Sequence, residues 1–445
     1  MEKGQDSLKE NIKDIAGKFL ERIKNKEIFV ISHFDTDGIT SATIMIKALK
    51  KLDKKFSVKI IKSLDENFIL SLPKNKLILF LDLASGSLDY IEKAKLEDVF
   101  IIDHHEVIQE VPERVNIINP WFNGKEKISS AGLVYLFCKE IDPENKKFAK
   151  LSVLGMIGDL MENSIDSLDD KIFEEGDIKK KRGLLIYPST RPINKILEYS
   201  SEPYIPGVTG SPSGIIELLR EAGIEPSNGK YKSLLELNED EMKKLTTSIM
   251  LRNPKARNKE IAGNIFLIKF FNKLEDAREL SATINACSRL GKSSTALRFC
   301  LEIPNAKKDA EEIHTQYKHH IISGLEFASK TQKIEGRGFV IINAQNEIKD
   351  TIIGTIASIL SNSSIYEEGT IIITMAYYED KIKISARNVG RNGRNVRELL
   401  NNVIKEVGGE VGGHEFAAGG IVNKDKEKKF IEMLKKELEL EVIKI

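Results

Sequence analysis

Three short apolar runs near the start of the chain each lead directly to acids. Ile28-Phe29-Val30-Ile31 precedes His33-Phe34-Asp35-Thr36-Asp37-Gly38, Leu77-Ile78-Leu79-Phe80-Leu81 stops at Asp82, and Phe100-Ile101-Ile102 stops at Asp103-His104-His105. An unbroken apolar run of this length reads as a strand covered on both faces, the signature of a parallel sheet. With Ser57 to Ile61 as a further strand, and helical periodicity over Thr40 to Lys51 and Leu88 to Lys95, the order is α/β with crossover helices. Groups beyond the carboxyl ends of such strands share one crevice, where ligands bind.

At 445 residues the chain exceeds one ordinary core. Helical patterns dominate from Glu140 to Leu290, with a loop over the Pro/Gly/Ser stretch Pro203 to Gly214, and a polar helix covers Asp309 to Lys330. A second α/β pattern follows: strands at Phe339 to Ile342, Ile371 to Ala376 and Lys381 to Ala386, helices at Thr351 to Ser361 and Asn395 to Val407. The expected fold is therefore α/β: a parallel-sheet domain with a helical extension over 1–290, a linker helix region over 291–330, and a smaller α/β domain over 331–445. Lys+Arg 68 against Asp+Glu 67 names no partner, and a local basic groove stays compatible with it. Cys138, Cys287 and Cys300 lack CxxC spacing and read as buried apolar residues. No run approaches a membrane span or a signal peptide, so the expected location is cytoplasmic, without membrane contact.

A buried acid needs a cation or a metal. Asp35 and Asp37 taken alone could be a helix cap and turn. Asp82 and Asp103 end fully apolar strands, however, and His104 and His105 follow at once. Asp159 lies in the last turn of Phe148 to Met161, a segment apolar nearly all round and hence a buried helix; pairing with an arginine or capping a neighbouring helix is the alternative for that acid. Together these groups exceed the needs of one ion, and a carboxylate-rich set with few imidazoles suits Mn²⁺ or Mg²⁺ better than zinc. Two such ions activate water and stabilise a leaving oxygen, which points to phosphoester hydrolysis.

The motifs HFDTDG, LDLASG, DHH and GDL, in that order, resemble those of the DHH phosphoesterase superfamily. Asn285-Ala286-Cys287-Ser288-Arg289 resembles the Asn-Ala-x-x-Arg signature of RecJ-type nucleases, and Gly412-Gly413-His414-Glu415-Phe416-Ala417-Ala418-Gly419-Gly420 resembles the motif of the DHH-associated domain. The chain is similar to archaeal RecJ-like nucleases over nearly its whole length. The resemblance implies that Asp35 ligates one ion and Asp37 the other, that Asp82 bridges them, and that His104 and Asp159 complete the second site. Asp103 would support the site and His105 would lie near the scissile phosphate. His33 joins the metal set by position, although some relatives place a histidine four residues before the first Asp, where this chain has Ile31; its role stays open.

Substrate contacts are expected from Asn285, Arg289, Arg387, Gly412, Gly413, His414 and Ala417, the closely spaced glycines letting backbone N–H groups approach a phosphate. Without the resemblance, Gly412 to Gly420 reads as a glycine turn. Lys179-Lys180-Lys181-Arg182 reads as a solvated loop, and Gly183 to Pro192 is left unassigned. The implied activity is a Mn- or Mg-dependent exonuclease on single-stranded DNA or RNA that releases mononucleotides and serves DNA repair or replication. Rival readings are a short-oligonucleotide or cyclic-dinucleotide phosphodiesterase, a manganese pyrophosphatase, and a replication factor associated with GINS.

Overall fold

The structure, a computed structural model, describes residues 2–124, 127–200, 205–252, 261–363 and 365–440. They group into two compact units: Met1–Gly183 with Tyr187–Thr190 and Asn264–His314, and Leu184–Ile186 with Arg191–Gly263 and Thr315–Ile445.

In the first unit, β1 (Ile28–His33), β2 (Phe56–Ile61), β3 (Leu77–Leu81), β4 (Val99–Ile102) and β5 (Val115–Ile118) form a parallel sheet of order β2-β1-β3-β4-β5. Every residue of β3 and β4 is buried, as their unbroken apolar sequences require. The helix Glu2–Arg22, which the sequence reading did not assign, packs Leu8, Ile12, Ile15 and Phe19 into the core. Its Phe19 ring meets Phe100 and Phe137 edge-on, with centroids 5.3 Å from each. The helix Ala149–Gly158 is buried nearly all round, as its composition implies.

In the second unit, the helices Ile193–Glu198, Pro212–Glu221 and Glu239–Arg252 enclose a core that includes Ile196, Leu218 and Leu245. Further on, β9 (Ile334–Gly336), β10 (Phe339–Asn343), β11 (Ile371–Tyr378), β12 (Lys381–Asn388), β13 (Gly409–His414) and β14 (Ala417–Asn423) build a sheet of order β13-β14-β12-β11-β10-β9. Only β10 and β11 run parallel among its pairs. The helix Val396–Val407 buries Leu399, Leu400, Val403 and Ile404 against it.

Three local expectations change. Lys179–Leu184 is a strand, β6, at the edge of a small sheet with β7 (Ala262–Phe270) and β8 (Lys273–Asp276); lysines are common on edge strands, where they deter pairing with another chain. The loop expected to Gly214 ends earlier, because Ser211 caps a helix that starts at Pro212 and accepts from Gly214 N–H at 3.2 Å; residues 201–204 lie outside the described residues. Gly412 to Gly420 is mostly paired strand, with Glu415-Phe416 as the turn. Among the described residues, no helix is long and apolar enough to cross a membrane.

Candidate metal centre

The carboxyl ends of β1, β3 and β4 deliver the predicted groups. Beyond β1, Asp35 caps the helix Thr36–Lys51 and accepts from Gly38 N–H at 3.0 Å. Glycine is required at 38, where any Cβ would overlap the His33 carbonyl. Asp37 lies under the N-terminus of the helix Ser130–Ile141 and accepts from Ser130 and Ala131 N–H at 2.7 and 2.9 Å. The helix that ends at Asp159 closes over this loop because Gly155 and Gly158 face it: a Cβ on Gly155 would overlap Asp37 Oδ1, and one on Gly158 would press on Thr36 Cβ. Asp82 adopts φ +60, a left-handed conformation that Asp tolerates better than branched residues, directly where β3 ends.

Donor atoms converge in three overlapping groups: His33, Asp35 and Asp82; Asp37, His104 and Asp159; and Asp82, His104 and His105, each with its donors within 4.8 Å of one another. Asp82 belongs to two groups, and so does His104. His33 Nδ1 lies 2.8 Å from Asp35 Oδ2 and 3.4 Å from Asp82 Oδ2, while His104 Nε2 lies 3.3 Å from Asp159 Oδ2 and 3.6 Å from Asp82 Oδ1. Yet both Asp82 oxygens and Asp159 Oδ2 are buried without a hydrogen-bond partner. Buried carboxylate oxygens that converge with too few donors to satisfy them are what a divalent cation satisfies, and the hard, oxygen-rich set fits one.

The electrostatics agree. Burial pushes the Asp82 carboxyl well above the ordinary carboxylate range, and the charges of Asp35, Asp37, Asp159 and Asp103 push it further. Asp159 is raised in the same way, by burial and then by Asp37 and Asp35. Burial acts on Asp35 too, but the adjoining His33 ring and the Gly38 N–H outweigh it and hold that carboxyl low.

Asp103 takes a supporting position. Although fully buried, it is held well below its ordinary value by His105 and Ser85. Its Oδ1 accepts from His104 N–H at 2.8 Å and meets His105 Nδ1 at 2.7 Å, and its Oδ2 accepts from Ser85 N–H at 3.0 Å. The contact raises the His105 pKa above its usual 6.5 and fixes Nδ1 toward Asp103, leaving Nε2 as the free nitrogen of a side chain 55% exposed.

The remaining candidates separate. Asn285 Oδ1 accepts from Thr36 N–H at 3.2 Å, so this side chain steadies the Asp35–Asp37 loop; Arg289 ends the same helix, Ala277–Arg289, half-buried. In the second unit, Arg387, Ala417 and His414 sit opposite one another on β12, β14 and β13, which puts their side chains on one face of the sheet. Arg387 donates from Nε to Ser358 Oγ at 3.0 Å and from Nη1 to Ala386 O at 2.8 Å. Gly413 has φ +120, and a Cβ there would crowd Ala417 and Ala418; Gly412 lies beside it in open space. Sequence reasoning missed Asn119, whose buried Nδ2 donates to the His105 carbonyl at 2.8 Å and to Ser85 Oγ at 3.0 Å. The Asn-Pro pair directly after Ile117-Ile118 was its available signal.

Comparison with known proteins places these features. Residues 27–156 match the DHH family, N-terminal domain, residues 186–260 the DHH-CID domain and residues 337–440 the DHHA1 domain. An uncharacterized protein of Methanocaldococcus jannaschii is 30% identical over 446 residues, covering 96% of each chain. A prophage-derived protein of Bacillus subtilis, named for single-strand DNA-specific exonuclease activity, is 27% identical over 208 residues, 43% of this chain and 35% of that protein. Among solved structures, exonuclease RecJ bound to manganese is similar with a TM-score of 0.60 at 16% identity, covering 95% of this chain and 93% of the other. CDC45 from Entamoeba histolytica is similar with a TM-score of 0.69 at 11% identity, covering 96% and 99%.

Proposed function

Because the chain belongs to the DHH family, with RecJ-like organisation, we propose that it is a metal-dependent exonuclease that hydrolyses phosphodiester bonds of single-stranded nucleic acid, DNA or RNA, and releases mononucleotides. The observation that carries this reading is the pair of donor groups, His33-Asp35-Asp82 and Asp37-His104-Asp159, drawn together with buried oxygens unpartnered. Two divalent ions held there, manganese preferred and magnesium acceptable, would lower the pKa of a bound water and offset charge on the phosphoryl oxygens.

The protein's own groups do the rest. Asp82, whose donors group with His33 and Asp35 and also with His104 and His105, would help hold both ions. Asp103 holds the His105 ring so that Nε2 can hydrogen-bond a phosphate oxygen or donate a proton to the leaving oxygen. Asn285 and the Ser130 and Ala131 N–H groups fix the loop that carries Asp35 and Asp37. In the C-terminal domain, taken as 331–445, Arg387, His414 and the Gly412-Gly413 backbone contact substrate phosphate. The name of the Bacillus subtilis relative supports a single-stranded substrate, and the manganese-bound RecJ supports the metal.

Digestion of end-labelled single-stranded DNA and RNA with Mn²⁺, beside a dinucleotide and pyrophosphate, tests the reading. Stepwise release of mononucleotides from the long strands is expected; turnover confined to the dinucleotide or to pyrophosphate would replace it with a rival. The fold likeness to CDC45 supports a second role, association with replication proteins such as GINS, which can coexist with catalysis because the donor groups are retained.

A further inference from the structure

Beyond β5, Asn119-Pro120-Trp121-Phe122-Asn123 makes a single 3-10 turn beside the metal cluster. Trp121 is the chain's only tryptophan. It is 47% exposed and Phe122 is 51% exposed. The Trp121 indole Nε1–H donates to the carbonyl of His104 at 3.0 Å, and its backbone N–H donates to Asn119 Oδ1 at 3.0 Å. Asn119 is itself fully buried and tied to His105, while Asn123 Nδ2 donates to Ser7 Oγ at 2.8 Å. Leu160, directly after Asp159, is also an exposed apolar side chain, at 72%, with a left-handed φ of +56.

Single exposed apolar side chains need no explanation. An exposed tryptophan hydrogen-bonded to the backbone of a histidine in a cluster of acids, with an exposed phenylalanine next in the chain, is different, because a catalytic rim has no folding reason to be apolar. The indole is also held before any ligand arrives: a hydrogen bond at its edge and a capped turn beneath it restrain the ring while its surface stays open. A restrained aromatic surface loses little entropy on binding, which favours it as a stacking platform. The hydrogen bond to the His104 carbonyl also keeps the ring beside the segment that carries His104 and His105.

We propose that Trp121 and Phe122 form a platform on which an unstacked nucleobase next to the scissile phosphate rests, so that the enzyme grips the base as well as the backbone of a single strand. This rests on the nuclease reading above. Base–aromatic stacking is tolerant of sequence, and its loss costs roughly fivefold to a hundredfold in affinity. A paired base is already stacked in its helix, so the platform selects single strands.

The test uses the full-length protein with Mn²⁺, an oligothymidylate, and the same oligomer with abasic residues at both ends. Wild type should show a KM for the intact strand roughly tenfold or more below that for the abasic one. Phe122→Ala and Trp121→Ala should raise KM on the intact strand alone and narrow that gap, because stacking exists in ground and transition states alike. Trp121→Phe should restore most of it. A kcat loss in Trp121→Phe equal to that of Trp121→Ala, with KM unchanged, would make the indole a prop for His104 and overturn the platform. Should wild type hydrolyse neither oligomer nor the matching oligouridylate, the nuclease reading fails, and the platform is judged by titration in EDTA: the single tryptophan's fluorescence should be quenched by the intact oligomer and not by the abasic one. Equal KM values on both strands in wild type, or fluorescence unmoved by the intact oligomer, would overturn the inference.

Discussion

The metal centre should cost the metal-free protein stability, and Asp82→Asn should return part of it. Asp82 is buried against Asp35 with donor atoms within 4.8 Å. At an effective dielectric constant of about 20, one such charge pair repels by about 3 kcal/mol. A separate bound comes from proton linkage: a carboxyl raised from 3.8 cannot cost more at pH 7 than about 4 kcal/mol, the full gap times about 1.4 kcal/mol per unit. Because Asp35 is partly exposed, solvent screening reduces the gain, and a stabilisation of about 1 to 3 kcal/mol is expected for Asp82→Asn in EDTA. A raised carboxyl favours folding below its unfolded pKa and loses that contribution as pH climbs toward its folded pKa. Metal-free wild type should therefore gain stability between pH 7 and pH 5, and the variant should gain less. Asp159, Asp37 and His105, all raised, act in the same direction, so the variant still gains some stability between pH 7 and pH 5. Urea unfolding in EDTA at both pH values reads this directly. Destabilisation of the purified variant by more than about 1 kcal/mol in EDTA would refute the reasoning and make Asp82 an ordinary structural acid.

Other outcomes follow from the same geometry. Saturating Mn²⁺ should raise the thermal midpoint of wild type by several degrees and leave Asp82→Asn nearly unmoved, as differential scanning fluorimetry would record. Gly155→Ala should destabilise by about 1 to 3 kcal/mol and lose most activity, since its methyl would displace Asp37 or Ala131, whereas Gly86→Ala, with open space around it, should do neither. His414→Ala and Arg387→Ala should chiefly raise KM, by roughly tenfold to a hundredfold, if they grip a non-scissile phosphate; unchanged steady-state constants on a single-stranded oligonucleotide would leave β13 and β14 without that role.

The parts of this architecture that sequence reveals are those with one physical reading. A run as short and apolar as Leu77 to Leu81 reads as a strand buried on both faces, and an acid at its end calls for a cation, so the sheet and the candidate metal set were legible together. Gly-rich β13 and β14 were not, because glycine weakens strand propensity and pairing decides the outcome. The charged strand β6 was hidden for a similar reason: its lysines describe its exposed edge, not its hydrogen bonding. The helix Glu2–Arg22 spaces its core residues at helical intervals among charges that mask them. The bond from Thr36 N–H to Asn285 spans 249 positions, which no local pattern encodes.

The account turns on whether hydrolysis needs two ions in this cluster. Titrating metal-free protein with Mn²⁺, while recording bound metal and cleavage of a single-stranded oligonucleotide together, addresses it most directly. Cleavage should appear as the second equivalent binds, reach its plateau near two ions per chain, and vanish in excess EDTA. Full cleavage with no metal bound would contradict it.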